Sequence, residues 1–139
     1  RDQWSLLTSL RSGQSVLNAE CKMNRGSDLC EQKRCTGAML ETTMHFMFVC
    51  PQYAEDRQKM TEKIVKIYNK EKKQFTYKSD EIRWRMMLFP FESGIRCSTE
   101  EDELDRLLHL RKEILFAVLL FVVKTRRYRQ AEDESFWEM

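Results

Sequence analysis

Three cysteines and one histidine stand close together in the chain as Cys30-x4-Cys35-x9-His45-x4-Cys50. Thiolate sulfur and imidazole nitrogen are the ligands a tetrahedral zinc takes, and four of them leave no position for water. The pattern therefore points to a closed structural site rather than a catalytic one. Such an ion would staple loops that the local sequence does little to order. Asn24, Arg25, Gly26 and Ser27 make a turn-rich approach to Cys30, and Thr36-Gly37 breaks the chain again after Cys35. The alternative is a metal-free cluster in which the thiols pack as small hydrophobes.

A chain of 139 residues can enclose one sizeable core and has little material for two, so residues 1–130 read as a single helical domain with a zinc-knuckle-like segment at 27–57. The cysteine count of 5 is odd, which favours thiols held by metal over a disulfide framework and hence a reducing, intracellular setting, nuclear or cytoplasmic. Cys21 reads as buried beside the first helices, or as a substitute for Cys30. No basic-then-apolar segment opens the chain, although removal of a signal segment would leave secretion open. The formal charge of +2 does not by itself demand nucleic acid. The longest apolar run, residues 114–123, falls well short of the roughly 20 residues that cross a bilayer, so no membrane is expected.

Hydrophobic periodicity predicts an all-α fold, a small irregular helical bundle. Trp4, Leu6, Leu7 and Leu10 recur at helical spacing, and after Gly13 and Ser15 the pattern resumes with Val16, Leu17, Ala19 and Met23. Residues 41–49 continue as a helix carrying His45 near its last turns, with Pro51 just beyond Cys50. Five positions along an ideal α-helix rotate by about 500°, leaving His45 and Cys50 roughly 140° apart, so both reach one ion only if that end bends or frays. Pro51 supplies a reason, because it pushes the preceding residue out of the helical region. Tyr53, Arg57, Met60, Ile64 and Ile67 or Tyr68 mark the inward face of a long helix to about residue 70. A shorter helix through Ile82, Trp84 and Leu88 should end at Pro90, and residues 91–96 read as a loop with Gly94 at its tip. Ser98 or Thr99 followed by acidic residues opens a last helix that becomes apolar on nearly every side over residues 114–123. That stretch has to be covered by other helices or by a second subunit.

Lys59, Lys63, Lys66, Lys70 and Lys73 advance by fours and threes and would stack along one side if the helix persisted that far. The repulsion between them is something an anionic partner relieves; an ordinary solvated face, offset by Glu55, Asp56, Glu62 and Glu71, is the other reading. With Arg126, Arg127 and Arg129 these lysines are the candidate contacts to a nucleic-acid backbone, able to position the molecule without reading sequence. Residues 131–139 form an acidic tail whose Phe136 and Trp137 can stay disordered, fold back on residues 126–129 or dock in a partner.

Leu10-Arg11-Ser12-Gly13, Leu17-Asn18-Ala19, Cys30 and Cys35, Glu41-Thr42-Thr43-Met44-His45-Phe46, Cys50-Pro51-Gln52-Tyr53 and Arg57 together resemble the carboxy-terminal region of non-LTR retrotransposon polyproteins. In that family an Arg-Thr-Gly-like turn precedes a pair of cysteines, and a Glu-Thr-x-x-His-Phe helix ends in Cys-Pro. Here Ser12 replaces the threonine and the first cysteine pair is more widely spaced. Residues 119–126 resemble the family's final helix. The resemblance implies an accessory region, downstream of reverse transcriptase and ribonuclease H, that helps a polymerase engage RNA or DNA.

No catalytic site is expected. Coordination would occupy the lone pair His45 needs to act as a base, and His109 stands among Leu108, Leu110 and Arg111 without a nucleophile pattern. Two functional readings follow: a zinc-containing helical module that binds RNA or DNA, and a retrotransposon-derived interaction module, host-adopted or an effector, that acts through a protein partner or a homodimer formed by residues 114–123.

Overall fold

The computed structural model describes residues 3–12, 17, 19–20, 26–73, 75 and 79–127. Helices are the regular elements found among them: α1 (Gln3–Ser12), α2 (Ala54–Lys70), α3 (Asp80–Leu88), α4 (Glu92–Cys97) and α5 (Glu101–Thr125), with a π-helical turn at His45–Val49 and a 3₁₀ turn at Pro51–Tyr53. Among the described residues, extended pairing is limited to an isolated antiparallel bridge between Leu29 and Leu40. The class is all-α, as the periodicity predicts. The second amino-terminal helix, Cys21, Arg129 and the tail with Phe136 and Trp137 lie outside or largely outside the described residues.

Two compact units divide the chain, Arg1–Gln58 with Phe121–Met139 and Lys59–Leu120. The first buries Leu6, Leu7 and Leu10 of α1, then Phe46, Met47 and Tyr53, and Phe121 and Val122 of α5. Its aromatic centre is Phe46, whose ring meets Tyr53 edge-on at 5.0 Å and Phe121 at 5.3 Å. These geometries are the ones the ring quadrupole favours.

In the second unit, Met60, Ile64 and Tyr68 form the buried face of α2, at the positions the sequence marks. Tyr68 is stacked between Phe75 at 5.7 Å and Phe91 at 4.9 Å, and its hydroxyl donates to the Met86 carbonyl at 2.6 Å. Helix α2 stops at Lys70 because the chain turns there. Lys72 takes the left-handed conformation (φ 55°), the Lys72 amide donates to the Asn69 carbonyl and the Lys73 amide to that of Tyr68. This is a Schellman closure built without glycine. Ser79 opens α3 by accepting from the Ile82 amide at 3.2 Å, and the helix ends before Pro90.

Residues 91–96 correct the loop expectation. Phe91 is left-handed (φ 56°) and buried, and Glu92–Cys97 is a short helix. Its turn is supported by Arg96 donating to Glu92 at 2.8 Å rather than by any apolar period a sequence reading would detect. Gly94 is a place of close approach, not a loop tip: a Cβ there would sit 3.1 Å from Leu107 Cδ1.

The apolar stretch of α5 is covered within the chain, with Ile114, Val118 and Val122 fully buried, while Phe116 stays 60% exposed. Among the described residues no helix is long and apolar enough to cross a membrane. Replacing the fully buried Ile64 by alanine should cost about 2–5 kcal/mol in denaturant unfolding, whereas Lys63→Ala next to it should change stability by about 0.5 kcal/mol or less.

Candidate metal centre

The four sequence-predicted ligands meet. Cys30, Cys35, His45 and Cys50 bring one ligand atom each to a cluster in which no pair is more than 4.8 Å apart. Three local devices accomplish this. The first is a short hairpin: the Cys30 amide donates to the Met39 carbonyl at 2.8 Å and the Glu41 amide to that of Asp28 at 2.9 Å, around the Leu29–Leu40 bridge. The second is a turn inside it, closed by the Cys35 amide on the Gln32 carbonyl at 3.0 Å, which returns Cys35 toward Cys30 across the wide spacing. Gly37 allows the return because the chain there takes φ 76°.

The third device resolves the angular difficulty at His45 and Cys50. The segment leaves the α-helical repeat and forms a π-helical turn, closed by the Cys50 amide on the His45 carbonyl at 2.8 Å. An i→i+5 turn spreads one circuit over more residues than an α-turn, so the two side chains come onto one side. Cys50 then adopts extended backbone (φ −60°, ψ 122°) before Pro51, the departure the proline predicts. The carbonyls freed by this irregular end are satisfied by Arg57, which donates to those of Met47 at 2.8 Å, Phe46 at 3.0 Å and Cys50 at 2.9 Å. At the other end Glu20 accepts from the Thr43 amide and hydroxyl, each at 2.5 Å, and Thr42 Oγ1 accepts from the His45 amide at 3.1 Å.

Two of the six edges match a tetrahedral ion, and all six lie within 4.8 Å. With zinc–sulfur bonds of about 2.3 Å and zinc–nitrogen bonds of about 2.0–2.1 Å, a tetrahedron has sulfur–sulfur edges of about 3.8 Å and sulfur–nitrogen edges of about 3.6 Å. Cys30 Sγ lies 3.8 Å from Cys50 Sγ, and Cys35 Sγ lies 3.6 Å from His45 Nε2. The sulfurs are also prepared for negative charge. Each accepts a hydrogen bond from the backbone amide two residues on: Cys30 from Gln32, Cys35 from Gly37 and Cys50 from Gln52. Amide donors aimed at sulfur favour the thiolate that a metal requires.

Burial works against that preparation where it is deepest. It pushes the Cys30 thiol up to about 12 and raises Cys50, while the Gly37 amide holds the less buried Cys35 below the ordinary thiol value. Burial likewise lowers His45, which keeps its imidazole neutral and its lone pair available. His45 is 3% exposed, and among the described residues its Nδ1 has no hydrogen-bond partner, so Nε2 is the nitrogen that faces the sulfurs. The donor set, its spacing and its amide shell fit a zinc ion held by Cys30, Cys35, His45 and Cys50.

The candidate phosphate contacts divide. Lys59, Lys63, Lys66 and Lys70 are exposed on α2. Lys73 leaves the helix, and its Nζ lies over the Phe91 ring at 5.4 Å from the centroid. Arg126 is exposed. Arg127 instead turns inward and pairs with Glu41, its Nε 2.9 Å from Glu41 Oε2 and Nη2 on Oε1. Sequence reading missed Glu41 and Arg127 as partners. They stand 86 positions apart, and no local pattern joins them.

No family model, no curated protein and no solved structure matches this chain.

Metal analysis of the purified chain should return one zinc per molecule, and chelation should loosen residues 27–57 before the second unit, as read by amide exchange. Cys50→Ala should reproduce that pattern without chelator. Since ligands must shed their protons to bind, zinc uptake near neutral pH should acidify a weakly buffered solution, and affinity should rise with pH. Equal affinity at pH 6 and pH 8 would contradict thiolate ligation.

Proposed function

We propose that this chain is a non-enzymatic, zinc-containing helical module, part of or derived from a non-LTR retrotransposon protein, that binds the backbone of RNA or DNA. The observation that carries the reading is the convergence of Cys30, Cys35, His45 and Cys50. These residues anchor the resemblance, and their meeting in space is what a shared metal requires. Two further motif positions gain a physical reason from the same geometry. Glu41 packs beside Cys30, and Arg57 closes the π-helical turn. The ion supplies structural chemistry: it fixes the hairpin against the His45–Cys50 turn, where few other interactions would.

Contacts to phosphate fall to Lys59, Lys63, Lys66 and Lys70, the exposed cationic row of α2. Point charges on flexible stems attract phosphate without distinguishing bases, so the expected binding is strong in charge and weak in sequence. Because neutralised phosphates release counterions, affinity for duplex should fall with salt by about 0.9 logarithmic units per contact. The test is fluorescence anisotropy with the full chain on RNA and DNA across a salt series. The double reversal Lys63→Glu/Lys66→Glu should lower affinity and flatten the salt slope by about two units. Unchanged affinity would remove these lysines from the footprint.

A second reading, action through a protein partner, draws on one observation. Leu29, Met39 and Leu40 are 38%, 45% and 54% exposed on the hairpin beside the metal centre. Residues 114–123 offer less, since most of them are buried within the chain. Absent binding to RNA and DNA, with partner capture that survives nuclease and is lost on Leu40→Lys, would favour this reading.

A further inference from the structure

The metal centre does not end at its ligands. Glu41 is 1% exposed, and its Oε2 lies 3.9 Å from Cys30 Sγ. A carboxylate pressed against a sulfur that must be anionic to bind metal is an unfavourable pair in a buried place, unless positive charge accompanies it. Arg127 supplies that charge from the far end of the described chain, gripping the Glu41 carboxylate through both Nε and Nη2. The grip depends on the end of α5: Thr125 Oγ1 donates to the Val122 carbonyl at 2.7 Å, and Arg126 turns left-handed (φ 57°), which sends Arg127 back toward Glu41. Arg57 brings a second positive charge to the Cys50 carbonyl at 2.9 Å.

The charges of these contacting groups sum simply. A divalent ion with three thiolates and a neutral imidazole carries −1. Glu41 adds another −1, while Arg57 and Arg127 add +2. The assembly is neutral when loaded, and burying a net charge is what proteins avoid. We propose that Arg127 belongs to the metal centre, its charge relayed through Glu41 to offset the trithiolate core, so that the pair tunes the site for a divalent ion bound by three thiolates. This rests on the zinc reading above. Arg127 is a positioning and charge-setting residue, touching the ligands only through Glu41. A simple staple between two distant segments would need the pair intact but would be indifferent to the total charge, and that difference is measurable.

The experiment uses the full chain and zinc itself, with affinity read by competition against a chromophoric chelator at fixed pH and folding read separately by near-ultraviolet circular dichroism of the zinc-saturated protein. Arg127→Met, which leaves the loaded centre at −1, should weaken zinc about 10- to 100-fold, the usual effect of losing an outer-shell partner. Arg127→Lys keeps the charge and should stay within a few-fold of wild type. The double variant Glu41→Gln/Arg127→Met returns the sum to zero and should recover most of the loss, although it lacks the staple entirely. If Arg127→Met does not fold, the double variant decides: zinc affinity near wild type supports the proposal, and a loss of about 10-fold or more overturns it. Wild-type affinity in Arg127→Met, or a double variant as weak as Arg127→Met or weaker, would overturn it and leave the pair a staple. Failure of the wild-type chain to bind zinc would overturn this proposal and the metal reading together, whereas zinc binding indifferent to position 127 overturns this one alone.

Discussion

Convergence of three sulfurs and one imidazole nitrogen is the constraint on which the first unit depends. Without a shared ion, Cys30, Cys35, His45 and Cys50 are polarisable groups packed within 4.8 Å of one another, and burial holds two of the thiols neutral. With it, the same atoms become the link between a hairpin that has a single bridge of extended pairing and a turn that departs from the α-helix. The backbone follows from that requirement. A π-helical turn forfeits the regular hydrogen-bond ladder, and Arg57 and Glu20 stand at its two ends to satisfy the groups it leaves over.

The charge arrangement around the cluster extends the same logic. A buried carboxylate beside a thiol is hard to justify by packing alone, because removing a charge from water costs more than an apolar side chain of the same size would. It becomes reasonable if the thiol's charge state, the carboxylate and two guanidinium groups form one neutral ensemble. Arg127, which by sequence is one more member of a basic cluster, is thereby separated from Arg126: the first is drawn inward to Glu41 and the second faces solvent. Of the proposed phosphate contacts, the row on α2 stops short of Lys73, because the helix ends in a Schellman closure before that residue.

The sequence made the ligand set, the buried face of α2, the stop at Pro90 and the long last helix legible, because each is written in local spacing: metal-ligand intervals, a helical period of apolar residues, or a residue with a fixed backbone preference. It also exposed the angular conflict between His45 and Cys50, though not its solution, since a π-helical turn has no side-chain signature of its own. Helix α4 was illegible for a related reason. It is a single short element entered through a left-handed Phe91 whose ring is held by Tyr68, a contact between residues far apart in the chain. The Glu41–Arg127 pair and the exact use of Gly94 against Leu107 belong to the same class, long-range choices that periodicity does not encode.

X-ray absorption at the zinc edge of the purified chain tests the central claim most directly. The account predicts a four-coordinate ion with three sulfur neighbours at about 2.3 Å and one nitrogen neighbour at about 2.0–2.1 Å. A first shell dominated by oxygen or nitrogen, or a protein that keeps its native order with no zinc bound, would contradict it.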